Sequence, residues 1–315
     1  MTTYASRLQT LIPLCVLLVL VVMIGLYDRT FFSVNNILTL SADTMTLFLM
    51  ASGVTLVIMM GGIDLSVQAV ASMTSCILAA YLPHLGFWAL PLAVAGGVIA
   101  GISGGLVSTR LKIPSFIATL AVSGVVTSAG YWFSNTRSIN ISADDRAAYL
   151  FWAVGKSLGV PNEIWVGVFF MVLLGGILGL TPFGRIVRAI GSQELAAIAS
   201  GIDVERAKII AYMLSGTMAG IAGIIMAARL GSGSPTLANE FLLPAIACII
   251  VGGTAITGGV GSIWRTFVGA LIVQVVRIGM TFVGISVFTQ QIVFGFILVA
   301  AVAATMDRAK IAVIK

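Results

Sequence analysis

The chain has 315 residues, of which 59% are hydrophobic and 9% are charged, and its mean hydropathy is +1.11. Because soluble globular proteins carry about 25% charged residues, this composition excludes an ordinary water-soluble fold and predicts a single membrane domain, 1–315. The net charge of +6 does not indicate nucleic-acid binding, since the basic residues fall in short loops and form no dense basic stripe.

Ten apolar segments predict an all-α, polytopic membrane protein with about ten transmembrane helices. A helix needs about 20 apolar residues to cross a bilayer core. The first segment follows Arg7 as a signal peptide would, but it lacks a small-residue cleavage site and is expected to remain as a helix. The eighth is short enough to be broken or re-entrant. The predicted spans are 11–27, 41–60, 66–82, 87–109, 115–134, 164–181, 208–229, 241–256, 266–283 and 288–306.

The distribution of lysine and arginine predicts the orientation, because these residues are retained on the cytoplasmic side of a membrane. With the N-terminus inside, most of the 17 basic residues fall in cytoplasmic loops, and both termini are expected in the cytoplasm. The predicted cytoplasmic residues are Arg7, Arg110, Lys112, Arg185, Arg188, Arg206, Lys208, Arg265, Arg308, Lys310 and Lys315. The predicted outer residues are Arg29, Arg137, Arg146 and Lys156, while Arg229 and Arg277 fall within spans.

The first interruption of the apolar pattern is the sequence GGIDLS at 61–66, between the second and third spans. Two glycines followed by helix-capping residues indicate a break in the helical backbone. Because an ionisable residue at membrane depth indicates function, Gly61, Gly62, Asp64 and Ser66 are candidates for a pathway or gate through the membrane. The alternative is that Asp64 only caps the third helix at the cytoplasmic interface.

Glycines at four-residue spacing predict close helix packing in the fourth and seventh spans. Gly97, Gly101 and Gly105 have this spacing, as do Gly216 and Gly220. Small residues at this spacing let two helix backbones approach closely within lipid. We therefore interpret them as packing residues and not as ligand contacts.

Two connections are long enough to carry a function. The outer connection, 135–163, mixes charged and aromatic residues and is expected to form a short surface helix for a partner. It contains Gly155-Lys156-Ser157, but Leu150 stands where a phosphate-binding loop needs its first glycine, so no ATP site is predicted. The cytoplasmic connection, 182–207, is a polar segment bounded by glycines.

Within the cytoplasmic connection, residues 193–200 are predicted to form a two-turn helix outside the membrane. Ser192 is a plausible N-cap, Glu194 lies in the first turn, where the helix dipole favours an acid, and Gly201 can end the helix. The small side chains of Ala196 and Ala197 suit insertion into a groove on another protein. The alternative is a helix without a partner that lies on the membrane surface.

A second glycine-rich break, GGTAITGGVG, occupies 252–261 between the eighth and ninth spans. Non-helical backbone at membrane depth is tolerated only where it is buried in protein or lines a cavity. Like the first break it follows an apolar run that ends in a glycine pair, which indicates a possible internal repeat. The candidate residues for a pathway or gate here are Gly252, Gly253, Thr254, Thr257, Gly258 and Gly259, together with the intramembrane Arg277.

Catalytic and metal chemistry lack their residues in this sequence. His84 is the only histidine, and Cys15, Cys76 and Cys248 each lie inside an apolar run without metal-ligand spacing. No cofactor is therefore expected in this chain, and it is not expected to be an enzyme.

At these motifs the chain resembles the permease subunits of bacterial ATP-binding-cassette (ABC) importers for ribose, galactose, xylose and related sugars. The resemblance runs through most of the chain. Its motifs lie at 34–37, 61–66, 112–120, 183–202, 215–216 and 219–223, and the segment from Phe183 to Ile202 is the most specific.

The resemblance implies a ten-helix permease of the bacterial inner membrane that moves a sugar-like solute into the cytoplasm as half of a transmembrane dimer, with a second copy or a paralogue. It further implies a periplasmic binding protein outside, and inside an ATPase subunit with two nucleotide domains that bind ATP and Mg. Residues 192–201 would be the coupling helix that docks on the ATPase. The coupling residues implied are Arg185, Ser192, Glu194, Ala196, Ala197, Gly201 and Ile202.

The sequence departs from the family at two places. It has 192–197 SQELAA where many members have GNPEAA, which bears on the identity of the ATPase partner, and Leu242-Leu243-Pro244 where many have Glu-Leu-Asp, which bears on the solute. An ion-coupled secondary carrier remains an alternative, although such a carrier needs buried acids or an ion site on discontinuous helices.

Overall fold

The computed structural model describes residues 2–305, with side chains from 12 to 300 apart from 287 and 288. The predicted cytoplasmic residues Arg308, Lys310 and Lys315, and the last residue of the tenth predicted span, lie outside the described residues. The helices are α1 Thr2–Tyr27, α2 Val34–Met59, α3 Val67–Leu85, α4 Ala89–Arg110, α5 Ser115–Ser134, α6 Ala143–Tyr149, α7 Phe151–Val154, α8 Asn162–Leu180, α9 Pro182–Ser192, α10 Glu194–Ala199, α11 Val204–Leu230, α12 Leu242–Val251, α13 Ile263–Phe282 and α14 Val287–Thr305.

Each of the ten predicted spans coincides with a helix, although several boundaries differ. Helix α2 begins at Val34, seven residues before the predicted start, because Ser33 caps it by accepting a hydrogen bond from the Asn36 backbone N–H.

Six described helical stretches are long and apolar enough to cross a membrane, and one of these, Val67–Arg110, contains both α3 and α4. Three shorter apolar stretches lie in α1, α12 and α14. The fold is all-α with several membrane-spanning helices, and ten crossings stay a prediction.

Helix α2 forms the centre of the bundle. Every residue from Thr44 to Met59 is buried, and α8, α11, α12 and α13 surround this helix. Helix α8 lies at the periphery and exposes Trp165, Phe169 and Val172. An exposed apolar face of this kind is suited to contact with hydrocarbon.

The glycine-spacing prediction for α4 and α11 is confirmed. A Cβ atom on Gly97 would lie 2.5 Å from the Gly216 carbonyl oxygen, and one on Gly101 would lie 2.2 Å from the Tyr212 carbonyl oxygen. No side chain fits between the two backbones at these positions. The glycines therefore set the close approach of α4 and α11.

The connections gather at two opposite ends of the bundle. One end, here called the α10 end, contains 60–66, 111–114, 181–203 and 252–262, and three of these connections meet where Gly258 packs on Gly61 and Gly191. The other, here called the β end, contains 28–33, 86–88, 135–161, 231–241 and 283–286. Its strands pair in antiparallel fashion, β1 Ile139–Asn140 with β4 Ser232–Gly233 and β2 Lys156–Ser157 with β3 Val160–Pro161.

The long connection at the β end forms two short helices, α6 and α7, as the prediction of a surface helix requires. Ser142 caps α6 by accepting a hydrogen bond from the Asp145 backbone N–H. The connection also packs on its neighbours, because β1 pairs with β4 and the Tyr149 ring lies against Gly86. It is therefore part of a continuous cap over this end of the bundle.

Candidate functional site

The predicted break at 61–66 is present and begins with a left-handed glycine. Helix α2 ends where Gly61 (φ +78°) turns the chain, so that the Gly62 N–H donates to the Val57 carbonyl and the Gly61 N–H to the Ile58 carbonyl. This pattern satisfies carbonyl groups that a helix C-terminus otherwise leaves unpaired. Helix α3 starts only at Val67, so the intervening backbone is non-helical.

Asp64 is buried in this break and is held by neutral donors. Its carboxylate accepts hydrogen bonds from the Ser66 N–H (2.9 Å), the Ser66 hydroxyl (2.6 Å) and the Ser215 hydroxyl of α11 (2.7 Å), and the residue is 1% exposed. No described cation forms an ion pair with it. The carboxylate holds Ser66, the N-cap residue of α3, and fastens the break to α11. Since its described donors do not include the first turn of α3, the capping role and the pathway role of Asp64 both stay predictions.

The second predicted break, at 252–261, repeats the local geometry of the first. Helix α12 ends at Val251 and the chain turns at Gly253 (φ +89°), where the Thr254 N–H donates to the Ile249 carbonyl and the Gly253 N–H to the Ile250 carbonyl. The helix has 10 residues, about 15 Å of length, roughly half of a bilayer core. The prediction that the eighth span is broken is therefore correct for 252–256, and an internal repeat of the whole fold stays a prediction.

The two breaks meet at the α10 end, and α9 joins them. The Gly259 N–H donates to the Met59 carbonyl at 2.9 Å. A Cβ atom on Gly191 would lie 1.9 Å from the Met59 carbonyl oxygen and 2.3 Å from the Gly259 nitrogen. Three backbone segments thus touch without an intervening side chain, which places the end of α9 directly against both breaks. This junction of Met59, Gly191 and Gly258–Gly259 is called the glycine junction below.

The side chains of the second break differ in exposure. Thr254 is 1% exposed, and its hydroxyl has no hydrogen-bond partner among the described residues, whereas Thr257 is exposed. Gly258 packs on Gly61 and Gly191. The sequence therefore located the break, but its two threonines face different surroundings.

The predicted helix in the cytoplasmic connection exists as α10, with two corrections. Ser192 is not its N-cap, because Ser192 continues α9 and packs against Gly259, and Gln193 takes the N-cap position without a side-chain hydrogen bond. At the other end the chain turns at Gly201, where the Ile202 N–H donates to the Ala197 carbonyl at 3.1 Å. The helix is thus shorter than predicted and ends at Ala199.

The face of α10 that is free to meet a partner differs from the predicted one. Ala197 is 4% exposed and points into the subunit, while Ala196 is exposed together with Leu195 (77% exposed) and Ile198 (53% exposed). Because an α-helix has about 3.6 residues per turn, about one residue in four of α10 faces the subunit and the others face away from it. Arg185 is also exposed on α9.

Two ion pairs lie beside a cavity of about 710 Å³, and one of them connects α10 to the bundle. The Lys208 Nζ atom of α11 lies 2.7 Å from a carboxylate oxygen of Glu194. Arg110 of α4 pairs with Glu205 of α11 at 2.8 Å. Both acids line this cavity, and so does the buried Tyr212, whose hydroxyl has no hydrogen-bond partner among the described residues. Sequence reasoning missed Tyr212, although a lone tyrosine among the small residues of α11 was a visible signal.

Arg277 lies far from both breaks, at the β end of α13. Its guanidinium is stacked on the Phe241 ring at 5.0 Å and lines a second cavity, of about 490 Å³. Asp43, Arg229 and Gln274 line the same cavity and form a polar network. The structure thus separates Arg277 from the other candidate pathway residues.

The described residues contain no cluster of three or more histidine, cysteine or acidic side chains that could hold a metal ion. Cys15, Cys76 and Cys248 are free thiols. The two sites that the structure does assemble are the glycine junction with α10 and the cavity beside Arg277.

Comparison with known proteins identifies the family. Residues 36–302 match the family model described as a branched-chain amino acid transport system permease component. The ribose import permease protein RbsC of Escherichia coli (strain K12) is 34% identical over 292 residues, 92% of this chain and 91% of that protein. RbsC of Bacillus subtilis (strain 168) is 36% identical over 96% of this chain and 94% of its own length.

A relative that is named for a different sugar has a similar sequence identity to this chain. The L-arabinose transport system permease protein AraH of E. coli (strain K12) is 35% identical over 81% of this chain and 77% of its own length. Relatives that cover nearly the whole chain at this identity share its architecture as well as its motifs. The chain therefore belongs to the family of membrane permease subunits of bacterial ABC importers that includes the ribose and L-arabinose permeases.

Proposed function

We propose that this chain is the membrane-spanning subunit of an ABC importer that moves a monosaccharide or a similar solute into the cytoplasm. The observation that carries the proposal is α10, a short helix with an exposed apolar face that projects from the bundle beside the glycine junction. The contact of α10 with α9, and of the end of α9 with Met59 and Gly259, would give a mechanical path from a docked partner to two breaks in the membrane helices. The names of the relatives support a sugar as the solute.

The proposed topology has ten transmembrane helices with the α10 end and both termini in the cytoplasm. The excess of lysine and arginine in the connections of the α10 end supports this orientation. Helix α12 would cross as a half-length helix followed by the glycine-rich break. Reporter fusions after residue 145 and after residue 200 test the orientation, and an internal residue 145 or an external residue 200 would contradict it.

The proposed partners are those that membership of this family implies. An ATPase subunit with two nucleotide domains would bind ATP and Mg and receive α10 of each permease subunit. A second copy or a paralogue would complete the dimer, a periplasmic binding protein would deliver solute to the β end, and lipid would cover α8. The chain itself would hold no cofactor.

The coupling role would belong to the exposed residues of the α9–α10 segment. Ala196 would contact the ATPase directly, whereas Ala197 and Ile202 would anchor α10 to the subunit. Glu194 would fix the orientation of α10 through Lys208. Movement of α10 would reach Ser192 and Gly191, and through them the breaks at Gly61 and Gly259.

Uptake by proteoliposomes tests the proposal. The permease is reconstituted with its ATPase subunit and supplied with its binding protein, and labelled ribose, L-arabinose and leucine serve as probes. We expect sugar uptake that requires both ATP and the ATPase subunit. Accumulation driven by a proton or sodium gradient without the ATPase would establish the secondary carrier instead, and uptake of leucine alone would overturn the sugar assignment.

A further inference from the structure

The cavity beside Arg277 combines polar groups with an aromatic ring at the β end of the bundle. Helices α2, α11 and α13 contribute Asp43, Arg229, Gln274 and Arg277, and the turn before α12 contributes Phe241. The cavity has a volume of about 490 Å³, which lies within the range of small-molecule sites, about 300–1,000 Å³. Size and location thus suit a solute that enters from the β end.

Most polar side chains of this cavity already have partners. Arg229 forms an ion pair with Asp43, and its Nε atom lies 3.4 Å from Glu163. The Gln274 side-chain amide donates to the second oxygen of Asp43 at 3.2 Å. These contacts hold α2, α8, α11 and α13 in fixed positions around the cavity.

Arg277 differs from its neighbours because its guanidinium forms no ion pair with any described carboxylate. Its described contact is the stack on the Phe241 ring. A guanidinium group carries five N–H donors in one plane, and a cation within a transmembrane segment is costly unless it is solvated or paired. The stack orients this plane, so its donors are available to a ligand in the cavity.

The charges around the cavity select the class of ligand. The lining acids Asp43 and Glu240 balance the guanidinium groups of Arg229 and Arg277, and Glu163 lies outside the lining, beside Arg229. A charged solute of either sign would therefore meet groups of its own sign in this lining. A neutral molecule with many hydroxyl groups meets donors and acceptors together and avoids both penalties.

We propose that this cavity is the solute-contact site of the permease, where Arg277 donates hydrogen bonds to the hydroxyl oxygens of a neutral monosaccharide. Asp43 and Glu240 supply acceptors for its hydroxyl groups, and Phe241 holds the Arg277 guanidinium in its binding orientation. The inference rests on the proposed import function and adds to it the site and the chemical class of the solute.

The test measures the maximal uptake rate of the complete importer at saturating binding protein, so that the affinity of the binding protein does not enter. The probes are ribose, L-arabinose, galactose and xylose, followed by the monodeoxy derivatives and the sugar acid of the best substrate. Arg277→Met removes the donors, Arg277→Lys retains the charge without the planar fork, and Arg137→Met removes a charge from an exposed residue at the same end.

Removing a charged group that donates hydrogen bonds to the sugar should lower the uptake rate by about tenfold or more. We expect Arg277→Met to lower uptake of the parent sugar by at least that factor. At least one deoxy derivative should lose less, because it lacks the hydroxyl that Arg277 contacts. Arg137→Met should match the wild type. If Arg277→Met does not assemble, the same comparison is made with Arg277→Lys.

Three results would overturn the inference while leaving the import function intact. These are unchanged sugar uptake by an assembled Arg277 variant, an equal loss for the parent sugar and all of its deoxy derivatives, and preferred uptake of the sugar acid over the neutral sugar. Failure of the wild-type importer to take up any of the four sugars would instead contradict the proposed function itself.

Discussion

At the α10 end, the backbones of three segments touch with no side chain between them, whereas at the β end charged side chains surround a cavity. The glycine junction brings Gly191 against Met59 and Gly259, while Arg229 links Asp43 to Glu163 at the opposite end. A junction of backbones transmits displacement because it has no rotamers to absorb it. A cavity lined by hydrogen-bonding side chains can adapt to a solute. We therefore propose that mechanical coupling and solute contact occupy opposite ends of one subunit.

The largest effect is expected from a single methyl group at the glycine junction. In Gly191→Ala, the new Cβ atom would overlap the Met59 carbonyl oxygen, and overpacking of this kind costs about 1–3 kcal/mol or more. We expect lower thermal stability in detergent and a loss of uptake. The matched control is Gly124→Ala in α5, where the added Cβ meets no atom within 4 Å. Equal melting temperatures for the two variants would show that the junction is not tightly packed.

A somewhat smaller effect is expected at the β end from Arg229→Met. Asp43 and the nearly buried Glu163 would lose their cation, which should cost about 2–3 kcal/mol in the free energy of unfolding, because Arg229 is itself partly exposed. Adding Glu163→Gln should restore part of the loss, since one buried charge is then removed. Additive effects of the two substitutions in a double-mutant cycle would refute the pairing.

Substitutions of Asp64 distinguish a structural role of its carboxylate from a role of its charge in transport. Asp64→Ala leaves the Ser66 and Ser215 donors without their acceptor and should destabilise the subunit by about 1–2 kcal/mol. Asp64→Asn keeps an acceptor oxygen and should retain most of the stability and uptake. A stable Asp64→Asn subunit without uptake would mean that the charge itself works in transport, as an ion-coupled carrier requires.

The smallest effect is expected from Glu194→Gln, which removes the ion pair with Lys208. Exposed pairs contribute about 0–1 kcal/mol, and salt screens them. Uptake should fall modestly at low ionic strength, and the difference from the wild type should vanish at high ionic strength. A large loss that persists in high salt would indicate that Glu194 contacts the ATPase directly.

The local elements could be predicted because each depends on neighbouring residues. A glycine pair after an apolar run implied a helix end, and both breaks begin with the same hydrogen-bond pattern. Four-residue glycine spacing implied close packing of the fourth and seventh spans, and the structure shows that α4 and α11 pack on each other. The positions of Ser192 and Ala197 were wrong in detail, because helix ends and inward faces depend on how α9 packs on the breaks.

The long-range groupings could not be predicted from one sequence. Nothing in the spacing of Asp43, Phe241 and Arg277 indicates that three distant segments place them around one cavity. The same holds for the contact of Asp64 with Ser215, residues 151 positions apart. Such contacts depend on which helices pack side by side. Local sequence patterns do not determine that arrangement.

The central claim is that the exposed face of α10 carries the coupling to the ATPase, and Ala196→Arg tests it most directly. Ala196 is exposed, so the arginine should leave the subunit folded, and its charge would lose water on docking, at a cost of several kcal/mol if unpaired. The buried Ala197→Arg is the contrasting variant and should destabilise the subunit itself. The measurement is ATP-dependent uptake together with co-purification of the ATPase subunit. We expect a normally folded Ala196→Arg subunit to lose both, and full uptake with unchanged ATPase retention would contradict a coupling role for this face.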